Sequence, residues 1–342
     1  MIIIRTDANV EIATGHIMRC ITIAEEIVRK GEKVVFAVSD EKSGELAEKM
    51  GYKVICLGVD WRKPDFEKES IVLKKYGDKL LIDTYYATTE YIKKMKTIFK
   101  IICFDDMFDI YCPADIIINY NIYYEKFDYN NRYGNGTKLL LGAKYVPLRK
   151  QFITTKVSDK IISDHKCISV MLICGGGDIL NSMGKILSFM LKNDKRNFMN
   201  IRWNVIIGNY NEYKEKLIAL AKEYENIIIN ENVKNMAEIM NNCDICISAA
   251  STVLYECCAM QLPTIFFCVA DNQKHDAEYF EKNGLLYVGD FRKEEDKVCQ
   301  EINNTIKRIT SNSNMYKDII NKMKQITDGK GAERIAKSII EL

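Results

Sequence analysis

Along the chain, short runs of β-branched residues alternate with stretches whose apolar positions recur every three or four residues. The first pattern suits a strand buried on both faces and the second an amphipathic helix, so the alternation predicts βα units built around parallel sheets. Ile2-Ile3-Ile4-Arg5 is the first predicted strand. A helix follows from about residue 16 to 30, with Ile17, Cys20, Ile21, Ala24, Ile27 and Val28 on one face and Gly31 placed to cap its end. Further strands are predicted at 33–38, 53–57, 79–83, 100–104, 115–119 and 139–142.

The periodicity lapses between residues 144 and 166, where Pro147, Arg149, Gln151 and a polar stretch interrupt it; this is the predicted interdomain linker. A second series opens with a strand at 168–174, the turn Gly175-Gly176-Gly177 and a helix after Asp178. Strands at 203–207, 225–229, 244–248 and 264–268 complete it. The predicted fold class is α/β, with two doubly wound Rossmann-type domains, 1–150 and 165–342, facing a cleft. The last helix, near 332–342, either stays with the second domain or packs back on the first. Ligands of such sheets bind beyond the carboxyl ends of the strands, which directs the search for chemistry to the strand-to-helix loops.

Composition narrows the function classes. A chain of 342 residues is long enough for two domains, and a hydrophobic share of 47% can supply a core for each. The 49 basic and 47 acidic residues are interspersed and leave a formal charge of +2, so no single-sign field is available for nucleic acid or for a stable membrane association. Charge enters at Arg5, too early for the apolar segment of a signal peptide, and no run approaches the roughly 18 apolar residues of a membrane span. A cytoplasmic protein, acting as a monomer, is the expectation. The 12 cysteines sit mostly inside apolar runs, as small hydrophobes do, which points to a reducing compartment rather than a disulfide framework.

Three constellations carry candidate chemistry. Arg5-Thr6-Asp7-Ala8 and Gly15-His16-Ile17-Met18-Arg19 link the first strand to the first helix. Gly15 is expected to let the backbone turn tightly before His16 enters the first helical turn, where the positive end of the helix disfavours an imidazolium, as suits a general base. The same placement suits a capping or core histidine, and spacing alone does not separate the two. Cys174-Gly175-Gly176-Gly177-Asp178 brings small residues to a second strand-to-helix turn, where backbone amides and a helix dipole can meet a phosphate. It matches neither the dinucleotide nor the Walker pattern, and a plain tight turn explains it as well. In the third, Ser251 and Thr252 stand at a helix start with Glu256 about one turn later, followed by Asn272-Gln273. These residues suit a diphosphate and a ribose; singly, each is also an ordinary N-cap or solvated helix residue.

Asp83-Thr84-Tyr85 and Asp105-Asp106 lie at strand ends of the first half, where they either position a sugar or water or cap the following helices. Cys243-Asp244-Ile245-Cys246 and Cys257-Cys258 invite a zinc reading, but residues three apart on a strand point to opposite faces and do not easily share a metal. No cofactor and no metal are expected.

Taken in order, these residues resemble one family over nearly the whole chain: the inverting UDP-sugar hydrolases of pseudaminic acid biosynthesis, relatives of the MurG-type glycosyltransferases with a GT-B fold. The family's Arg-x-Asp-Ala and Ile-Gly-x-Gly-His-x-x-Arg are similar to Arg5-Thr6-Asp7-Ala8 and the stretch from Ile12 to Arg19. Its Asp-x-Tyr and Asp-Asp are present at Asp83-Thr84-Tyr85 and Asp105-Asp106. Leu141-Gly142-Ala143-Lys144-Tyr145-Val146-Pro147-Leu148-Arg149-Lys150-Gln151-Phe152 resembles its linker signature, and Gly176-Gly177-Asp178, Ser251 with Glu256, and Asn272-Gln273 match its later elements. Ala13 stands where the family has a glycine, and Gln151 where it has a glutamate; the first is expected to stiffen the loop, the second to remove a charge near the sugar.

The resemblance implies metal-independent hydrolysis of UDP-2,4-diacetamido-2,4,6-trideoxy-β-L-altropyranose to UDP and the free sugar. In that reaction His16 would activate water against the anomeric carbon, with Asp7 orienting His16 and Tyr85 and Arg149 contacting the sugar. The amides of Gly175 to Gly177 and the helix start at Ser251 would stabilise the departing diphosphate. Two rival readings remain open on the sequence: a GT-B glycosyltransferase passing a UDP-linked amino sugar to an acceptor hydroxyl, and a non-catalytic nucleotide-sugar binding protein. A transferase of the MurG type would be expected to carry an apolar or basic membrane-facing patch; the nearest approach to one is the tyrosine- and lysine-containing stretch from Tyr120 to Tyr133.

Overall fold

The computed structural model describes all residues of the chain except 10, 13, 158–166 and 209. The chain forms two compact units, Met1–Arg149 with Lys330–Leu342, and Lys150–Gly329. The C-terminal stretch therefore belongs to the first unit, not with the rest of the second half.

The first unit runs β1 (Ile2–Thr6), α1 (Gly15–Arg29), β2 (Val34–Val38), α2 (Glu41–Lys49), β3 (Lys53–Cys56), α3 (Phe66–Leu73), β4 (Lys79–Asp83), α4 (Thr89–Lys96), β5 (Lys100–Phe104), β6 (Ile116–Asn119), α5 (Tyr129–Tyr133) and β7 (Lys138–Leu141). All seven strands are parallel, in the order β3-β2-β1-β4-β5-β6-β7. Strands β1, β2 and β6 are buried at every position, as β-branched runs inside a parallel sheet should be. The chain builds outward through β1, β2 and β3, then returns to lay β4 on the other side of β1. The reversal falls between β1 and β4, and in such sheets the ligand crevice opens at that point.

The second unit runs α6 (Gln151–Thr154), β8 (Ile168–Ile173), α7 (Ser182–Asn193), α8 (Lys195–Met199), β9 (Ile201–Ile207), α9 (Lys214–Glu223), β10 (Ile227–Glu231), α10 (Met236–Asn241), β11 (Ile245–Ala249), α11 (Val253–Ala259), β12 (Thr264–Cys268), α12 (Lys274–Lys282), β13 (Leu286–Asp290), α13 (Glu295–Thr310) and α14 (Ser313–Ile326). Its parallel sheet has the order β10-β9-β8-β11-β12-β13, so its reversal lies between β8 and β11. Strand β13 is an addition to the sequence-based reading: an edge strand, half-buried throughout, whose register with β12 slips between Phe266 and Cys268. A final helix, α15 (Gly331–Ile340), returns to the first unit and packs along α1, burying Ala332, Ile335, Ala336 and Ile339. The predicted linker at 144–166 resolves into parts. Its beginning, through Arg149, is a turn of the first unit, Gln151–Thr154 is helical in the second, and residues 158–166 lie outside the described residues.

Candidate active site

His16 enters the first turn of α1 and is buried, with 7% of its surface exposed. Its Nδ1 lies 2.6 Å from Oδ1 of Asp83, the last residue of β4. The parallel pairing of β1 with β4 sets Asp83 level with Thr6, so the two loops that bear His16 and Asp83 meet at the reversal of the sheet. One turn further along α1, Arg19 donates to the same carboxylate, Nε to Oδ2 at 2.7 Å and Nη2 to Oδ1 at 2.5 Å. Its Nη1 reaches Asp106 Oδ2 at 2.6 Å and the Tyr120 hydroxyl at 3.1 Å, and its guanidinium lies 4.1 Å from the centre of the Phe104 ring. Burial works against the charge of Asp83, but the Arg19 guanidinium and its hydrogen bonds, joined by His16, outweigh it and hold the carboxyl well below the usual carboxylate range.

An ionised carboxylate only accepts hydrogen bonds, so the 2.6 Å contact assigns a hydrogen to His16 Nδ1, and in a neutral ring the lone pair is then on Nε2. Arg19 Nη2 and His16 Nδ1, 3.2 Å apart, are then two donors sharing one acceptor oxygen. Tyr85 stands edge-on to the imidazole at 4.5 Å, with about half of its surface exposed, and burial pushes its hydroxyl up to about 12.

Two expectations for this loop are corrected. Asp7 does not orient His16. Its carboxylate accepts from Arg5 Nη1 at 2.5 Å, from the Ser39 amide at 2.6 Å and from the Ser39 hydroxyl at 3.0 Å. Arg5, fully buried, also donates to Glu69 at 3.0 Å, which in turn accepts from the Tyr91 hydroxyl at 2.7 Å. This closed ionic network fastens the end of β1 to its neighbours. Gly15 makes no tight turn either, because it is already the first residue of α1 and a Cβ there would meet nothing within 4 Å. Ala13 lies outside the described residues.

The second member of the Asp105-Asp106 pair binds Arg19; the first serves the fold, accepting from the Phe108 amide at 2.9 Å and the Tyr133 hydroxyl at 2.8 Å. Tyr120, Tyr129 and Tyr133 are buried, while Tyr123, Tyr124 and Phe127 in the same stretch are half-buried. Among the described residues no helix is long and apolar enough to cross a membrane, and no group of three or more His, Cys, Asp and Glu side chains is arranged to hold a metal ion.

In the second unit the glycine turn and the start of α11 flank the reversal between β8 and β11. Gly175 adopts a φ of 71°, which the lack of a side chain permits, while Gly208 at the end of β9 packs against it. A Cβ on Gly208 would come within 2.6 Å of the Gly176 Cα, so a glycine is required there for the two backbones to approach. Asp178 turns inward and accepts from the amides of Ser182 at 2.8 Å and Met183 at 3.0 Å. The protein's own carboxylate thus occupies the N-terminus of α7.

At that start Ser251 is half-buried and its Oγ accepts from the Val253 amide at 3.3 Å, while Thr252 is exposed and Glu256 half-buried. Asn272 is exposed, but Gln273 Oε1 accepts from the amides of Val269 at 2.7 Å and Ala270 at 3.2 Å and so clips the loop after β12. Arg149 is half-buried at the end of the first unit. Gln151 spans the Lys234 carbonyl and the Ala237 amide, at 3.5 and 3.1 Å, and so braces the start of α10 in the second unit. Sequence reasoning assigned no role to Arg19, whose spacing from His16 on one helix face was the available signal.

Comparison with known proteins places these features. The solved structure of Acinetobacter baumannii MurG aligns over 100% of this chain and 99% of its own, with a TM-score of 0.69 at 13% identity. The chain has the GT-B fold. Residues 169–337 match the glycosyltransferase family 28 C-terminal domain. An uncharacterized protein of Methanocaldococcus jannaschii is 31% identical over 283 residues, 77% of this chain and 54% of that protein, so the chain spans about half the length of this relative. The UDP-2,4-diacetamido-2,4,6-trideoxy-beta-L-altropyranose hydrolase of Campylobacter jejuni is 25% identical over 285 residues, 83% of this chain and 97% of that enzyme.

Proposed function

We propose that this chain hydrolyses a UDP-linked amino sugar, UDP-2,4-diacetamido-2,4,6-trideoxy-β-L-altropyranose, at its anomeric C1–O bond, releasing UDP and the free sugar with inversion. The observation that carries the reading is the contact of His16 with Asp83, which in a neutral ring leaves Nε2 as the proton acceptor at the ligand crevice of the first sheet. The near full-length match to the Campylobacter hydrolase supports the substrate.

In this mechanism His16 Nε2 takes a proton from water as the water oxygen bonds to C1 and the C1–O bond to the diphosphate breaks. Asp83 holds the imidazolium that results. The bonding electrons leave with UDP, a phosphate with a second pKa of about 6 that departs without a strong general acid. The glycine amides of 175–177 and the α11 start at Ser251 and Thr252 receive the diphosphate, with Glu256 and Asn272 toward the nucleoside. Tyr85 and Arg149 contact the sugar. Asp178 and Gln273 serve this site by shaping its loops.

A second reading, transfer of the sugar to an acceptor hydroxyl, is favoured by the match of residues 169–337 to a glycosyltransferase domain. The two readings differ in the acceptor. Purified protein incubated with the UDP-sugar alone should release UDP at a steady rate; release that appears only when an acceptor is added would establish the transferase instead.

A further inference from the structure

Arg19 stands one turn after His16, so both side chains leave the same side of α1. Its side chain is only 9% exposed and bridges carboxylates from two strand ends, Asp83 after β4 and Asp106 after β5. Phe104 and the Tyr120 hydroxyl fix the guanidinium from the side. A guanidinium anchored at this many points is a permanent positive charge set against the carboxylate that His16 uses.

The consequence follows from elementary electrostatics. A lone buried carboxylate beside an imidazole favours the imidazolium, because an ion pair is preferred to an uncompensated buried anion. An imidazolium has no lone pair and cannot accept a proton. Here both oxygens of Asp83 already carry bonds from Arg19, and a second cation at His16 would sit 3.2 Å from an Arg19 nitrogen. We propose that Arg19 is a positioning residue that neutralises Asp83 and thereby keeps His16 in its neutral, Nδ1-protonated form near neutral pH. This inference rests on reading His16 as the base.

The other groups facing this pair do not supply that charge. Cys20 donates its thiol to Asp83 at 3.3 Å, and burial keeps that thiol protonated; the Tyr85 hydroxyl, pushed up to about 12, also stays neutral. The Tyr120 hydroxyl is pushed up by burial too; among the described residues Asp106 is a further charge, and it is bonded to Arg19.

The test reads the proton on the ring and not turnover. The imidazole nitrogens of the full-length protein are labelled with 15N, and His16 is assigned among the three histidines by the spectrum of His16→Gln. The wild type should show a single protonated nitrogen, Nδ1, at neutral pH. Arg19→Met, and Arg19→Gln as a variant that keeps a donor without the charge, should raise the midpoint for double protonation by about one pH unit or more. Arg19→Lys, which restores the charge, should return the midpoint toward the wild-type value. An unchanged midpoint in both neutral variants, or a lysine variant that shifts as far as methionine, would overturn the proposal. Because the readout is independent of catalysis, shifted midpoints in a protein that releases no UDP would condemn the hydrolase reading and leave the role of Arg19 standing.

Discussion

His16 Nδ1 meets Asp83 Oδ1 at 2.6 Å, joining the first turn of a helix to the end of a strand 67 residues further along the chain. The link exists because β4 pairs with β1 and not with β3, its predecessor in sequence. It fixes the tautomer of the imidazole, and under the proposed function it fixes which nitrogen acts.

Replacing Asp83 by Asn should therefore harm both catalysis and stability. The amide no longer stabilises an imidazolium, and UDP release should fall by about 10- to 1,000-fold, toward the loss expected for removing a general base outright. It also leaves Arg19 with a partner lost in a buried site, which should cost about 3–5 kcal/mol in urea unfolding at neutral pH. The carboxyl of Asp83 is held below its unfolded value, so its stabilising charge is complete above about pH 4 and is lost as the pH falls further. The stability gap between wild type and Asp83→Asn should accordingly narrow on acidification; a gap that widens would show that the sign is wrong.

Asp7 should behave differently from Asp83, although both are buried aspartates at the same sheet crevice. Its bonds go to Arg5 and Ser39, so Asp7→Asn should lower the unfolding free energy by about 1–3 kcal/mol. Turnover per folded molecule should stay within a few-fold of wild type. A variant that is stable but as inactive as Asp83→Asn would restore Asp7 to the catalytic role it was expected to have.

Gly208→Ala tests the glycine turn without touching it. The added methyl would press on the backbone of Gly175 and Gly176, displacing their amides. Calorimetric titration with UDP should show affinity reduced by about tenfold or more if two hydrogen bonds to the charged diphosphate are weakened. An unchanged affinity would mean that the turn does not contact the diphosphate.

Much of this was legible in the sequence because it depends on local pattern. The β-branched runs and the helical face of Ile17, Cys20, Ile21, Ala24 and Ile27 set the elements, and the small residues at 175–177 and 251 marked the two loops of the second sheet. What was not legible depends on partners distant in sequence. Asp7 and Asp83 are equally acidic and equally placed at strand ends; only strand order and the buried Arg5 decide that Asp7 binds Arg5 and Ser39 while Asp83 binds His16 and Arg19. Asp178 resembles a ligand contact until its carboxylate is seen folded back on the amides of α7. Strand β13 escaped notice because Leu286-Tyr287-Val288-Gly289-Asp290 is short, half-buried and broken by a glycine.

The most direct test of the central claim follows the oxygen. Wild-type protein and His16→Ala are incubated with the UDP-sugar in water enriched in 18O, with no acceptor present, and the products are weighed by mass spectrometry. The account predicts that the wild type yields free sugar carrying one 18O at C1 and UDP carrying none, with His16→Ala slower by about 10² to 10⁴-fold. Label in UDP, no release without an acceptor, or an alanine variant as fast as wild type would contradict it.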